Sequence, residues 1–246
     1  MEKEFLTKAI VLNSIDYKEK DKQLTLFSLD SGKITAVLKG CKNANAKLKF
    51  AFNPFCFAEY QIVQKSNFNT IINASLIDSF FDLSLDYNSY ILASVMLEIS
   101  QNIVKFNEPN YPIFIILINS LKAICYEKIN PKMVLIKFCL TALENLGYKL
   151  QFKECDRCKM PFLNDKFLDL SSGEFVCNNC KNMLTKKISN LAFNSLKILD
   201  FTSLDRIKTV KISENALNEI LMLLLEDLEC RIERKLSSKK MLNPIL

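Results

Sequence analysis

Cys155-x2-Cys158 and Cys177-x2-Cys180 are the residues in this chain best placed to do chemistry, two CxxC pairs separated by 18 residues. A CxxC turn can aim two sulfurs at one ion, and a second turn completes a tetrahedron. The segment between them reads as a hairpin. Phe167-Leu168-Asp169-Leu170 and Glu174-Phe175-Val176 are its strands, and Ser171-Ser172-Gly173 is its turn. That layout is a zinc ribbon. Four thiolates leave the metal no open position, so the site predicted is structural and takes one Zn2+ per chain. The competing reading is four ordinary cysteines, oxidised as two disulfides. The other five cysteines, Cys41, Cys56, Cys125, Cys139 and Cys230, sit among apolar neighbours, as small core residues do in a reducing cytosol.

Composition narrows the chemistry further. The chain of 246 residues contains no histidine, which excludes Ser-His-Asp and Cys-His catalysis and HExxH metalloprotease chemistry. With four glycines and neither GxxxxGK[ST] nor GxGxxG, a nucleotide-cradling loop is not expected. The sequence therefore predicts a binding protein and not an enzyme. Its start, Met1-Glu2-Lys3-Glu4-Phe5, mixes charges where a secretory signal would be apolar. The longest apolar run, Ile113 to Ile118, is too short to span a bilayer, so a cytoplasmic protein with no membrane contact is expected.

The elements that must carry these residues fall into two blocks. Lys8–Ser14, Lys22–Asp30, Lys33–Lys39, Phe55–Val63 and Phe68–Ser75 are rich in β-branched and aromatic residues and read as five short strands. Five strands in about 70 residues suggest a small barrel, and the OB-fold is the common five-stranded barrel that binds nucleic acid. From residue 85 the period becomes helical, with segments over 85–104, 113–126, 131–147, 189–200 and from Ser213 onward. Pro131 suits a first helical position and Gly147 a C-terminal cap. The fold class expected is α+β: an N-terminal five-stranded OB-fold barrel over 1–80, then an all-α domain over 81–246 with an embedded four-cysteine zinc module at about 151–183.

Net charge is +6, which by itself says little about partners. Its distribution says more. Between Ser31 and Ala58 there is no acidic residue, and the window holds Lys33, Lys39, Lys42, Lys47 and Lys49. Lysines on a barrel loop attract phosphate without reading sequence, so these five are the candidate DNA contacts; a merely solvated loop is the bland alternative. Phe50, Phe52, Phe55 and Phe57 flank the loop, and as a group they suit the barrel core or its mouth better than base stacking. A second basic run, Arg231, Arg234, Lys235, Lys239 and Lys240 against Glu233, ends the last helix and reads equally as favourable charge at a helix C-terminus.

An ordered set of short motifs completes the picture. These are Ala9-Ile10-Val11-Leu12; Tyr17, Glu19 and Asp21; Leu24-Thr25-Leu26-Phe27; Gly32-Lys33-Ile34; Val37-Leu38-Lys39-Gly40; Asn53-Pro54-Phe55; Ala74-Ser75-Leu76-Ile77-Asp78-Ser79-Phe80; and Phe167 and Gly173 ahead of Cys177. In this order and spacing the chain resembles the RecO family of bacterial recombination mediators. The resemblance implies an OB domain, a helical domain and a zinc module. It also implies binding of single- and double-stranded DNA and annealing of complementary strands. Its implied partners are RecR, single-strand-binding protein (SSB) and, indirectly, RecA and RecF, at the nucleoid in the cytoplasm. The chain departs from the family after Lys39-Gly40, where a denser Arg/Lys run ending in serine is usual. Here Lys42 and Lys47 keep charge but the arginines and the serine are absent. A zinc-ribbon RNA-binding or transcription-associated factor is the rival reading.

Overall fold

The computed structural model describes residues 2–66, 68–163 and 165–242. Its N-terminal part is a closed five-stranded barrel built from β1 (Glu2–Asp16), β2 (Lys22–Ser28), β3 (Gly32–Leu38), β4 (Phe57–Lys65) and β5 (Phe68–Asp78), in the spatial order β1-β2-β3-β5-β4. β3 and β5 run parallel, through Val37↔Thr70 and Leu38↔Ile71, and the other paired barrel strands run antiparallel. This is the OB-fold topology. Alternating positions fill the interior: Ala9 and Val11, Leu24 and Leu26, Ile34, Ala36 and Leu38, then Ala58, Tyr60 and Ile62, as the two-residue period of a strand requires.

The first strand begins earlier than the sequence suggests. Residues 2–7, mixed in charge, give no strand-like run of apolar residues, yet they pair antiparallel with β4 from Glu2↔Lys65 to Thr7↔Tyr60. Register with a partner, not local propensity, makes this segment a strand. Residues 9–16 then pair with β2, across a bulge between Val11 and Asn13.

Helices follow: α1 (Tyr87–Ile103), α2 (Tyr111–Cys125), α3 (Pro131–Asn145), α4 (Asn190–Phe201) and α5 (Glu214–Arg231). Their starts obey capping chemistry. Asn130, Ser189 and Ser213 each accept a backbone N–H of the first turn through their side chains, and Pro131 stands at the first helical position. After α3, Gly147 adopts φ +91, the left-handed conformation that ends many helices. Between α3 and α4 lies a three-stranded sheet of β6 (Lys166–Asp169), β7 (Glu174–Cys177) and β8 (Thr185–Ile188), ordered β7-β6-β8. The hairpin expected from sequence is present, and β8 is an addition: Thr185-Lys186-Lys187 carries too little apolar residue to announce a strand.

The barrel strands and Leu97–Ile115 form one compact unit, while Leu83–Met96 and the elements from Ile116 onward form another. Within the first unit, Gly32 starts β3 at φ +65, and a Cβ built there would lie 1.9 Å from the Glu108 carbonyl oxygen. The Lys33 N–H donates to Lys105 O, and the Asn107 N–H donates to Lys33 O. The glycine is thus required by both conformation and space. Gly32→Ala is expected to destabilise the protein by about 2–4 kcal/mol. Denaturant unfolding monitored by circular dichroism checks this, and a midpoint equal to wild type would show that residues 105–108 move away freely.

Candidate functional site

The four cysteines converge. The sulfurs of Cys155, Cys158, Cys177 and Cys180 all lie within 4.8 Å of one another, and none is in a disulfide. Cys158 Sγ and Cys177 Sγ are 3.8 Å apart. Metal–sulfur bonds of about 2.3 Å set tetrahedral sulfurs about 3.8 Å apart, so the donor set fits one metal ion. Two tight turns aim the sulfurs. The Lys159 N–H donates to Cys155 O at 2.9 Å, and the Cys180 N–H donates to Cys177 O at 3.0 Å. Lys159 takes φ +59 to let the first turn close. The Cys177 N–H also donates to Cys155 Sγ at 3.3 Å.

The electrostatics favour a cation. Burial raises the Cys155 thiol pKa, but backbone donors from Cys158, Cys177 and Arg157 outweigh it and hold the group at about 6. Cys180 is pushed up to about 12, first by the Cys158 side chain, then by burial and the remaining sulfurs. Four thiolates in one place repel one another until a positive ion neutralises them.

The cluster is braced by groups that spacing alone does not reveal. Asp169, fully buried, pairs with Arg157 from the first turn and accepts from the Ser171 N–H and hydroxyl and from Asn182 Nδ2. Burial works against its charge, yet the Ser171 donors and Arg157 hold its carboxyl below the usual range. Arg157 also donates to Cys180 O at 2.9 Å, so one arginine touches the carboxylate and the second turn. Phe152, Phe162 and Phe175 surround Phe193 of α4 at 5.0–5.6 Å between ring centres, fastening the module to a helix.

The basic C-terminal run is largely committed to structure. Arg231 donates to Leu170 O and Ser171 O, pairs with buried Asp227 at 3.0 Å and lies 4.5 Å from the Tyr148 ring centre. Lys235 and Lys239 both pair with Glu229 at 3.2 Å.

On the barrel, the acid-free connection over 39–56 is anchored at both ends. At its start the Gly40 N–H donates to Asp21 Oδ1 at 2.8 Å and the Lys42 N–H donates to Lys20 O at 3.1 Å. Near its end a 3-10 turn, Lys49–Phe52, sets Ala51 into the barrel, where Tyr60 Oη donates to its carbonyl at 2.9 Å. Burial pushes the Tyr60 hydroxyl pKa upward, so it stays a donor. Phe55 and Phe57 are buried, and Phe50 and Phe52 pack against the barrel core. Phe50 and Phe52 thus cover the barrel core, whereas Phe57 turns to Phe114, with ring centres 6.0 Å apart.

The five lysines of this window differ. Lys33 Nζ donates to Gln101 O at 2.7 Å and lies 4.6 Å from the Phe106 ring centre, so it is held by structure. Lys42 pairs with Asp16 at 3.1 Å, a carboxylate shared with Lys22; Lys22 first and Lys42 second hold Asp16 below the usual carboxylate range. Lys39, Lys47 and Lys49 are exposed and have no ion pair or hydrogen-bonded side-chain partner among the described residues. Two exposed aromatics at the barrel rim are not signalled by the sequence pattern: Tyr17 after β1 and Phe68 at the start of β5, with ring centres 6.4 Å apart. Lys18 Nζ is 5.5 Å from the Tyr17 ring centre. The rule that OB-folds use the loops after strands 1 and 4 was the available clue. Among the described residues no helix is long and apolar enough to cross a membrane.

Family models cover both parts of the chain. "Recombination protein O N terminal" matches residues 1–80 and "Recombination protein O C terminal" matches residues 84–240. A protein of Caldicellulosiruptor bescii named DNA repair protein RecO is 30% identical over 231 residues, covering 91% of this chain and 94% of its own length. Proteins of the same name from Thermoanaerobacter sp. and Clostridium novyi are each 28% identical, covering 96% and 88% of this chain and 96% and 84% of their own lengths. The chain belongs to the RecO family of DNA repair proteins.

The sulfur geometry yields a direct test. Freshly purified, reduced protein should carry about one metal equivalent per chain, and Cys177→Ser should lose it. Hydrogen exchange should then rise across residues 151–188 while the barrel strands keep their protection. Elemental analysis showing well under one equivalent in wild type would overturn the assignment.

Proposed function

We propose that this protein binds single- and double-stranded DNA through the rim of its barrel, anneals complementary strands and, with RecR, assists RecA loading on SSB-coated DNA. The work is non-enzymatic and takes place at the nucleoid in the cytoplasm. Family membership supports the reading, and one observation carries it for this chain. Lys39, Lys47 and Lys49 stand exposed without partner carboxylates among the described residues, on a connection that Asp21 and Tyr60 hold in place. Such ammonium groups neutralise phosphates and release counterions, which lowers the repulsion between two strands brought together. Lys42 contributes less, because Asp16 already shares its charge, and Lys33 is assigned to structure.

The functional division follows the two sequence blocks: 1–80 for DNA, and 81–246 for protein partners, with RecF reached indirectly. Four sulfur ligands, no open position and a reducing compartment favour Zn2+ at Cys155, Cys158, Cys177 and Cys180, as a structural ion holding the module of residues 151–183.

Replacing Lys39, Lys47 and Lys49 together with alanine should weaken binding to both single strands and duplex. The slope of log affinity against log salt on single strands should flatten by roughly 0.7 for each phosphate no longer neutralised. Stability should be little changed, since exposed lysines contribute little to folding. Binding isotherms at several salt concentrations decide it: a variant indistinguishable from wild type would make the loop a bystander. Tighter binding of the wild type to RNA than to DNA would favour the transcription-associated reading instead.

A further inference from the structure

We infer that Tyr17 and Phe68 form a base-stacking step that makes the barrel rim selective for unpaired strands over duplex; this rests on the proposal that the rim binds DNA. Exposed apolar residues are common singly, so exposure alone would carry nothing. Here two aromatic rings, 42% and 45% exposed, meet at one rim from the two sides used by oligonucleotide-binding barrels, the turn after β1 and the start of β5. Their centroids are 6.4 Å apart and their planes are tilted by 44°, so neither ring stacks flat on the other, and Lys18 lies over one face of Tyr17.

Both rings stand on fixed backbone. The Tyr17 N–H donates to Asp21 O at 3.2 Å and the Asp21 N–H donates to Lys18 O, which closes the turn. Phe68 is already in the ladder, opposite Lys65, and its neighbour Asn69 donates through Nδ2 to Thr35 O at 2.9 Å. Cations lie beside the step. Lys18 approaches the Tyr17 ring, and the Asp21–Gly40 hydrogen bond ties the turn that carries Tyr17 to the start of the lysine connection. An aromatic face beside unpaired ammonium groups matches a nucleotide in an unpaired strand, with its base on the ring and its phosphate on the lysine. In duplex DNA the base faces are already stacked, so only the phosphate part of the site can be used.

The division of labour is testable because bases and phosphates can be varied separately. The probes are an oligothymidylate, an abasic oligonucleotide of equal length and phosphate count, and a duplex. Wild-type protein should prefer the oligothymidylate over the abasic strand by about tenfold or more. Tyr17→Leu combined with Phe68→Leu keeps apolar bulk but removes both π faces. It should erase that preference while leaving abasic and duplex affinity, and their salt slopes, as in wild type. The chain contains no tryptophan, so Tyr17→Trp supplies a single fluorophore, which the oligothymidylate should quench and the abasic strand should not. Equal wild-type affinity for the two strands, or a preference that survives the double substitution, overturns the stacking step while leaving the phosphate-binding proposal intact. Failure of the wild type to bind any of the three probes overturns both.

Discussion

The double pairing of β1 is the constraint on which the barrel's chemistry depends. Its first half is hydrogen-bonded to β4 and its second half to β2, with Ala9 and Ile10 in both ladders. A strand of ordinary length could serve one neighbour; fifteen residues serve two and close the sheet. Closure removes the exposed edges that would otherwise template aggregation. It also bends the sheet until the turn after β1 meets the start of β5, as the proximity of Tyr17 and Phe68 shows. Inside, the buried hydroxyls of Thr7 and Ser28 bond at 2.6 Å, which satisfies both polar groups where β1 passes from one partner to the other. Without closure, the aromatic pair and the lysine connection would be unrelated surface features.

Charge in this protein is a poor guide to function until its partners are known. The two lysine-rich regions look alike in sequence, yet they are used differently. At the end of α5, Glu229 collects Lys235 and Lys239, and Asp227 collects Arg231. Glu229 is buried, which opposes ionisation, but the Leu236 backbone N–H and the two lysines hold its carboxyl below the usual range. That basic run stabilises a chain reversal. On the barrel, Asp16 and Asp21 reach the lysine connection: Asp16 draws Lys22 and Lys42, while one Asp21 oxygen accepts from the Gly40 N–H. What remains available is set by how few acids the fold brings near, which a one-dimensional window counts only approximately. Lys33 illustrates the error, being inside the acid-free window but committed to the Gln101 carbonyl.

Sequence patterns exposed the features that are local in the chain. The CxxC turns, the hairpin with Gly173 at φ +77, Pro131 at the start of α3 and Gly147 after its end are all written within a few residues. Patterns failed where a residue's role is assigned by something distant. Residues 2–7 become strand because β4 pairs with them, and β8 because β6 does. Asp169 looks like a hairpin residue, but it is the buried anion that joins Arg157, Ser171 and Asn182 beside the four clustered sulfurs. Tyr17 lies in a charged turn and Phe68 at a strand start. Only the closed barrel makes them neighbours, whereas in the conspicuous cluster Phe50 and Phe52 pack on the barrel core and Phe55 and Phe57 are buried.

Annealing places opposing demands on a single-strand binder. Phosphate neutralisation must be extensive enough to bring two anionic strands together, and base contacts must be sparse enough to leave the Watson–Crick edges free for pairing. A platform of many rings would hold single strands tightly and resist their release into duplex. Three lysines without partner carboxylates among the described residues, with two rings, would suit the opposite balance. In the proposed site the lysines would attract any strand without regard to sequence, and the rings would engage one or two bases by their faces and leave the pairing edges of the rest exposed. On that reading, duplex stacking would compete directly with the aromatic step once a complementary strand arrived, and the paired product would keep only the phosphate contacts. On the proposed reading, the affinity difference between single strand and duplex would be carried by Tyr17 and Phe68, and release of an annealed duplex would follow from the same geometry that captures the single strand.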